Sequence, residues 1–299
     1  MYDILSFSRA MKVLSRNKCV LNRMCIAMTL FLCLNVNIAK AQIVEVGIKG
    51  GPQLTWVRHD NLQFRKEYSV SPRIGYQAGA VLSFKVKDRY FLHTEYLYSV
   101  KGKVTSSKSD PDFKDKVTYS YIEVPILYNI FFKGHLGKSK QFKYYAGAGP
   151  ILSYWLGGKG TIYSTEFAEN SAPPLDYKIK FGVRSEDFND PGEVYVNRPR
   201  RFQLGFNIGG GIMTEPDAKR RIMLDLRFEL GHSWFSKSQT ADYVIPVVYE
   251  DNMQSRNMGF RLSAIYMFEI NTNKKARNKG KTNRNSPKKN APIKKKRRK

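Results

Sequence analysis

The sequence predicts an all-β protein: an eight-stranded antiparallel up-and-down transmembrane β-barrel with a disordered basic C-terminal tail. Three observations indicate this fold. Eight segments alternate apolar and polar residues with the period of two that is typical of strands with one apolar face. The connections between these segments alternate long and short along the chain. Nothing after Ala41 resembles a transmembrane helix, which needs about 20 consecutive apolar residues.

The eight predicted strands span residues 43–57, 73–84, 90–101, 117–132, 142–156, 201–213, 222–230 and 260–268. Long polar loops are predicted at 58–72, 103–116, 157–199 and 236–256, and short links at 86–88, 134–140 and 214–220. In a soluble β-sandwich, nothing requires long and short connections to alternate along the chain. A membrane barrel has short periplasmic turns and longer outer loops, and its closed sheet pairs every backbone group in lipid.

The fourth predicted strand, Val117 to Phe132, shows the alternation clearly. Its even positions from Ile122 onward are apolar and are expected to face lipid, whereas Glu123 is expected in the lumen. Pro125 lacks a backbone N–H, so we expect a β-bulge at this proline.

The positions opposite the apolar ones carry charges of both signs. The predicted lumen residues are Glu45, Lys49, Arg73, Glu95, Lys101, Glu123, Asp225, Arg227, Glu229 and Arg261. Eight strands leave an interior just wide enough for side chains. We therefore expect a hydrogen-bonded ionic network that fills a narrow core, and a wide porin-like channel is improbable.

The three tryptophans fall near the ends of strands that would run outward. Trp56, Trp155 and Trp234 are therefore expected in an aromatic belt at one membrane interface. The parity of Trp155 points it inward unless a bulge near Gly149 or Pro150 reverses it.

Both ends of the chain are basic. The whole chain has a formal net charge of +26, of which residues 271–299 supply fourteen positive charges and 1–41 a net five, which leaves +7 for 42–270. Residues 1–41 have the form of a signal peptide, with a basic start, a short apolar core and Ala39-Lys40-Ala41 for cleavage. Domain boundaries are therefore expected at 1–41, 42–270 and 271–299, with the barrel in the outer membrane and both termini periplasmic. The cysteine-free body suits an oxidising compartment.

Residues that resemble catalytic or metal sites are sparse. His93 and Glu95 share one predicted inward face and are the most enzyme-like pair, although a lumen network explains them better. The other histidines show no metal-ligand spacing, so no metal and no cofactor is expected. Gly209 to Gly211 lie inside a strand, which excludes a phosphate-binding loop.

Several segments together resemble a known family. They are GIKGGPQLTW, EYLYSVKG followed by YIEVPILYN, YYAGAGPILSYWLG and LDLRFELGHS. In order and spacing they are similar to the strands of the PorT-like outer-membrane β-barrel proteins of Bacteroidetes. The resemblance covers most of residues 43–270 and implies an eight-stranded outer-membrane barrel. Some members of that family serve type IX protein secretion, and the basic tail lies outside the family pattern.

Three functions follow as hypotheses. The first is a non-enzymatic barrel that scaffolds or binds, as an accessory of type IX protein secretion. The second is a barrel hydrolase, a protease or lipid-modifying enzyme that uses His93 and Glu95. The third is a small-solute channel. Expected partners are outer-membrane lipid, lipopolysaccharide, and periplasmic or secretion-system proteins. The tail would contact anionic envelope components, and no nucleic acid is expected because the signal peptide directs export. The long 157–199 loop is expected to carry surface recognition.

Deleting residues 271–299 should leave insertion of the barrel intact, because the tail has almost no apolar residue to pack. Heat-modifiable migration in a detergent gel measures this. Loss of the folded band in the deletion variant would contradict the prediction.

Overall fold

The computed structural model describes residues 44–136, 140–165, 169, 173–183, 192–217, 220–238, 242–243, 249 and 251–270. The predicted signal peptide and the predicted tail lie outside these residues. Within this part of the chain, no helix is long and apolar enough to cross a membrane.

The chain is almost entirely strand. In order, the elements are β1 (Val44–His59), α1 (Leu62–Glu67), β2 (Tyr68–Lys87), β3 (Tyr90–Ser107), β4 (Lys114–Leu136), β5 (Lys140–Tyr163), β6 (Leu175–Phe181), β7 (Glu193–Val196), β8 (Phe202–Asp217), β9 (Arg220–Gly231), β10 (Asp242–Tyr243) and β11 (Ser255–Ile270).

Eight of these strands close into an antiparallel ring, as predicted. Strands β1 to β5 pair in sequence, β5 pairs with β8, and β9 and β11 lead back to β1. One end of the barrel contains residues 44 and 270 and the short β2–β3, β4–β5 and β8–β9 connections. We call it the turn end. The opposite end is the loop end.

The outer face of the ring is apolar over its middle. Leucine, isoleucine, phenylalanine and tyrosine side chains are exposed on all eight strands, among them Ile48, Ile74, Tyr96, Ile122, Leu152, Leu204, Leu226 and Leu262. Soluble monomers rarely expose a continuous apolar surface of this extent. This lipid band extends on β4 from Ile122 to Phe132, as predicted, and the outward residues from Lys114 to Ser120 beyond it are polar.

Several predicted loops are in fact ordered. The segment 58–72 contains α1, which begins where the Asn61 side chain accepts hydrogen bonds from the backbone N–H groups of Gln63 and Phe64. Strands β3 and β4 continue through most of 103–116, so that prediction of a loop was wrong. The segment 157–199 includes the end of β5 together with β6 and β7, which pair parallel to each other.

Strand β5 changes partner part-way along its length. Residues 143–154 pair with β8 inside the ring, and residues 158–162 pair with β6 beyond it. Gly157 marks the change with a φ of 154°, a conformation that side chains with a Cβ rarely adopt. Opposite it, the register with β4 shifts between Ser120 and Tyr121, which leaves Leu156 as the extra residue.

This bulge lies after Trp155, so it does not reverse that side chain. Trp155 points inward and is 0% exposed, and its predicted place in the interface belt was wrong. The predicted bulge at Pro125 was also wrong: Pro125 pairs with Ile151 and the register is the same on both sides of it. The ladder tolerates the missing N–H without adding a residue.

Two apolar clusters close the interior, one at each end. The turn-end cluster comes from seven of the eight ring strands and contains Val81, Phe91, Phe131, Tyr145, Met213, Met223, Ile265 and Met267. The loop-end cluster contains Val57, Phe64, Phe113, Val117, Tyr119, Tyr121, Trp155, Ile162, Tyr177, Ile179, Val194, Val196, Phe235, Tyr249 and Met253. The charged interior lies between them.

Trp155 is the centre of the loop-end cluster. Its ring lies 4.8–6.4 Å from the ring centroids of Tyr119, Tyr121, Phe181 and Phe235. Its Nε1 donates to the Gly157 carbonyl at 2.9 Å. The same side chain therefore packs the ring against β6 and the segment after β9.

Changing Trp155 to Ala should lower the free energy of unfolding by about 3–5 kcal/mol, because it removes the largest buried side chain of this cluster. Urea unfolding in lipid vesicles, followed by the loss of heat-modifiable migration, measures the effect. Trp56→Ala on the lipid side is the matched control and should cost less. Equal losses in the two variants would contradict the central role of Trp155.

Candidate functional site

The charged interior begins next to the turn-end cluster with a four-residue group. Lys49 lies between two carboxylates, with Nζ 3.0 Å from Glu95 Oε2 and 2.9 Å from Asp225 Oδ2. Arg227 contacts the same two acids, at 2.9 Å to Glu95 Oε1 and 2.5 Å to Asp225 Oδ2. Two cations and two anions thus alternate in a closed arrangement, which we call the inner quartet.

A second quartet lies closer to the loop end. Lys101 pairs with Glu123 at 2.6 Å and also with Glu229. Arg261 pairs with Glu123 at 2.7 Å, with Glu229, and donates to Gln77 Oε1 at 3.1 Å. We call these four charged residues the outer quartet. Each cation again contacts two acids, so charge is balanced locally, as burial at low dielectric requires.

Strand geometry explains why these residues meet. Each quartet draws on strands that are distant in the ring, because inward side chains from all directions converge in a lumen only eight strands wide. Lys49 of β1 meets Glu95 of β3 and Asp225 of β9. Eight of the ten predicted lumen residues therefore form the two quartets.

The other two predicted lumen residues lie elsewhere. Glu45 is buried near the turn end, where it pairs with Arg221, a residue that the sequence reasoning missed. Arg73 is in neither quartet, and its prediction as a lumen residue was wrong. The β2–β3 register shifts between Pro72 and Tyr76. The Arg73 side chain lies across Gly102, whose outward side has space for it.

His93 and Glu95 share the inward face of β3, but different neighbours hold them. His93 is 1% exposed, and its ring packs near Phe131 of the turn-end cluster at a centroid distance of 6.3 Å. Both oxygens of Glu95 face Lys49 or Arg227. A histidine that acts as a base needs a partner to orient it and access to a substrate. The carboxylate beside His93 is already held by two cations.

A third charged group lies beyond the lipid band, inside the loop end. Lys103 Nζ is 2.5 Å from Asp251 Oδ1, and the Tyr177 hydroxyl donates to Asp115 Oδ1 at 2.8 Å. Lys103 and Asp115 lay in a predicted loop and were missed. The signal was present, because Lys101, Lys103 and Thr105 continue the inward parity of β3.

Burial dominates the electrostatics of this loop-end group. It raises the pKa of the Asp115 carboxyl to about 7, with a further increase from the charge of Asp251 and an opposing effect of Lys103. Burial also lowers the pKa of His59 to about 2, and the Lys103 cation adds to this. The pKa of Asp115 therefore lies near neutral pH.

The two remaining tryptophans lie at the predicted end of the barrel. Trp56 faces outward, with its ring centroid 6.3 Å from Phe228 and 5.8 Å from Phe260. Trp234 Nε1 donates to Asp60 Oδ2 at 2.8 Å. The guanidinium carbons of Arg200 and Arg256 lie 5.7 and 5.8 Å from its ring centroid. Trp234 is thus part of a polar rim.

Metal ligands are not clustered in the part of the chain that the structure describes. No group of three or more His, Cys, Asp or Glu side chains there could hold a metal ion. The carboxylates of the two quartets are held by lysines and arginines instead.

The fold and the sequence can now be compared with known proteins. A family model for the outer membrane protein β-barrel domain matches residues 40–233. The chain belongs to this family. Membership of the family and the fold of the ring place the protein in the outer membrane. A comparison with curated protein sequences finds no match.

Solved outer-membrane barrels share the fold. OprG from Pseudomonas aeruginosa aligns at 8% identity and a TM-score of 0.41, over 76% of this chain and 96% of that one. Neisserial surface protein A aligns at 9% identity and 0.32, over 75% and 97%. The outer membrane protease OmpT from Escherichia coli aligns at 6% identity and 0.31, over 76% and 97%.

Changing Arg261 to Met should lower the free energy of unfolding by about 3–5 kcal/mol, because it leaves Glu123 and Glu229 buried with fewer cations. Adding Glu123→Gln should restore part of the loss. Denaturant unfolding in vesicles measures both variants. Arg58→Met, at an exposed position outside the quartets, is the control and should stay within about 0.5 kcal/mol of wild type. An equal loss in the control would contradict the importance of the outer quartet.

Asp115 should make stability depend on pH. Its pKa is higher in the folded state than in the unfolded chain, so its protonated form favours folding, and this stabilisation is lost as pH rises through about 7. We expect the wild type to lose stability between pH 5 and pH 8 and Asp115→Asn to lose less. Unfolding midpoints at a series of pH values measure this, and parallel curves for the two proteins would contradict it.

Proposed function

We propose that this outer-membrane barrel is non-enzymatic and does not conduct solutes, and that it acts as a scaffold or binding protein through its loop end. The observation that carries the proposal is the filled interior. The turn-end cluster, the two quartets and the loop-end cluster follow one another along the lumen. A solute or substrate that entered would have to displace buried, paired charges, which is costly.

The loop end is the part of the barrel built for contact. Strands β6, β7 and β10 extend the sheet there beyond the ring, and β6 and β7 contribute buried side chains to the loop-end cluster. Ordered surface elements on a rigid barrel present side chains in fixed positions, which favours recognition. We propose that this end faces the cell exterior and that both termini are periplasmic, as the usual placement of long loops suggests.

Protein secretion is the process in which we propose to look for partners. The segments from GIKGGPQLTW to LDLRFELGHS resemble the PorT-like barrels of Bacteroidetes, and some of those proteins serve type IX secretion. A closed barrel cannot itself be a protein conduit, so an accessory role suits it. The basic tail is proposed to contact anionic envelope components on the periplasmic side.

A closed barrel should show no stepwise conductance in planar bilayers, because apolar side chains from seven strands block the turn end. The Phe91→Ala/Phe131→Ala variant is compared with wild type, because it removes two aromatic side chains from the turn-end cluster. Stepwise currents in the wild type would overturn the proposal of a closed barrel.

The candidate catalytic residues, His93 and Glu95, are buried and out of reach of a substrate. Purified protein is therefore expected to release neither peptides nor acyl chains. The assay is run on wild type and His93→Ala. Hydrolysis by the wild type that His93→Ala abolishes would replace the binding role with an enzymatic one.

Binding at the loop end can be mapped by photo-crosslinking in intact cells. Val183 is 81% exposed at the loop end, and Val86 is half exposed at the turn end. A photoreactive residue at position 183 should give discrete protein adducts that include secretion components. Position 86 is the matched control. Secretion components captured only from position 86 would contradict the proposed binding face.

A further inference from the structure

A cationic groove lies on the outer surface of the sheet, just beyond the lipid band at the loop end. Its volume is about 490 Å³. The cationic side chains of the groove are Arg73, Lys116, Lys159 and Lys178, and its other lining residues include Thr118, Thr161, Asp176 and Glu193. None of the functions considered above uses this groove.

Strand register places like charges opposite each other in this groove. Gly102 pairs with Thr118, Thr118 with Lys159, and Lys159 with Lys178, so one row crosses four strands. Lys159 and Lys178 face each other directly on the outward side of β5 and β6. Like charges in directly opposed positions destabilise a sheet. A bound anion between them would convert this repulsion into attraction.

Arg73 reaches the same row from the other side. The register shift in β2 turns Arg73 away from the lumen, and its side chain packs over Gly102 on the outer face. A Cβ added to Gly102 would lie 2.8 Å from Arg73 Cδ and 2.4 Å from the Val117 carbonyl oxygen. Glycine therefore leaves the space through which the guanidinium approaches Thr118 and Lys116.

Glu193 lies opposite Lys178 in the β6–β7 register, so the two acids of the groove offset its four cations only in part. Asp176 accepts a hydrogen bond from Thr161 at 2.6 Å, and Glu193 is held by Lys180 at 3.2 Å and by the Tyr195 hydroxyl at 2.6 Å. Among the described residues, no ion pair includes Arg73, Lys116, Lys159 or Lys178. The groove therefore keeps a net positive charge, and its side chains can donate hydrogen bonds to the oxygens of an anion.

The depth of the groove indicates which anion it meets. Tyr98 and Ile122, paired in register, are outward apolar residues near the edge of the lipid band, and the Tyr98 hydroxyl already turns to Ser120 at 3.2 Å. Thr118 lies four residues beyond Ile122, about 13 Å along the strand. Because barrel strands are tilted by about 35–45°, this is roughly 10 Å along the membrane normal. This is the level of lipid headgroups, which lie next to the hydrocarbon core.

We propose that the cationic groove binds the phosphate groups of a phosphorylated lipid headgroup in the leaflet at the loop end. Arg73 offers a planar pair of donors to phosphate oxygens, and Lys159 and Lys178 hold the charge from the other side. The groove opens sideways above the lipid band, so a ligand anchored in the membrane reaches it without leaving the leaflet. When the loop end faces the cell exterior, as proposed above, this lipid is the phosphorylated glycolipid of the outer leaflet. Binding of phosphate by the groove does not itself depend on that orientation.

The test uses the folded full-length protein in detergent, with diphosphorylated lipid A, dephosphorylated lipid A and inorganic phosphate as probes. Native mass spectrometry counts bound lipid, and thermal unfolding measures the stabilisation it gives. Wild type should retain diphosphorylated lipid A at least about tenfold better than the dephosphorylated form, because charge-assisted hydrogen bonds distinguish the two. Lys159→Gln/Lys178→Gln should lose this preference.

Controls separate binding from folding. Lys87→Gln/Lys133→Gln removes the same charge at the turn end and should bind like wild type. Without lipid, Lys159→Gln/Lys178→Gln should be at least as stable as wild type, because like-charge repulsion is removed; if it does not fold, Arg73→Gln replaces it. Equal retention of the two lipid A forms by wild type would overturn the proposal. Displacement of the lipid by millimolar inorganic phosphate would also overturn it, in favour of a free-phosphate site.

Discussion

The structure depends on closure of the hydrogen-bonded sheet. In lipid, backbone N–H and C=O groups have no water to bind, so a strand edge inside the membrane is costly. The pairing of β5 with β8 satisfies this constraint, although residues 155–201 separate the two paired segments in the chain. The strand segments described between those positions, which are the end of β5 with β6 and β7, pair beyond the ring.

Closure with eight strands also dictates the chemistry of the lumen. The interior is only wide enough for side chains, so each inward residue contacts others from across the ring. Charges in that space must be balanced locally, and the two quartets do this with cations that each contact two acids. Apolar clusters at both ends exclude water and strengthen these pairs. The same packing that holds the barrel together fills its interior with buried side chains.

The loop end reflects the other consequence of closure. Once β5 has passed Gly157 it no longer belongs to the ring, and it pairs with β6 instead. This extension has two faces with different roles. Its inner face covers Trp155 and the buried Asp115 group, and its outer face carries Lys159 and Lys178 above the lipid. The extension formed by β5 and β6 thus covers the end of the barrel and also carries a charged surface at the level of the lipid headgroups.

The sequence by itself determined the ring, because the period of two assigns each residue to lipid or lumen without any knowledge of partners. It predicted the eight ring strands, the lipid side of β4 and the residues of both quartets. Only the tertiary structure decided which charges pair, because partners such as Lys49 and Asp225 are far apart in the chain. It also decided the position of Arg73, because the bulge in β2 lies where no sequence signal marks it. For Trp155 it showed that no bulge reverses the inward parity. Periodicity is a local property, whereas register and pairing are set by closure of the whole sheet.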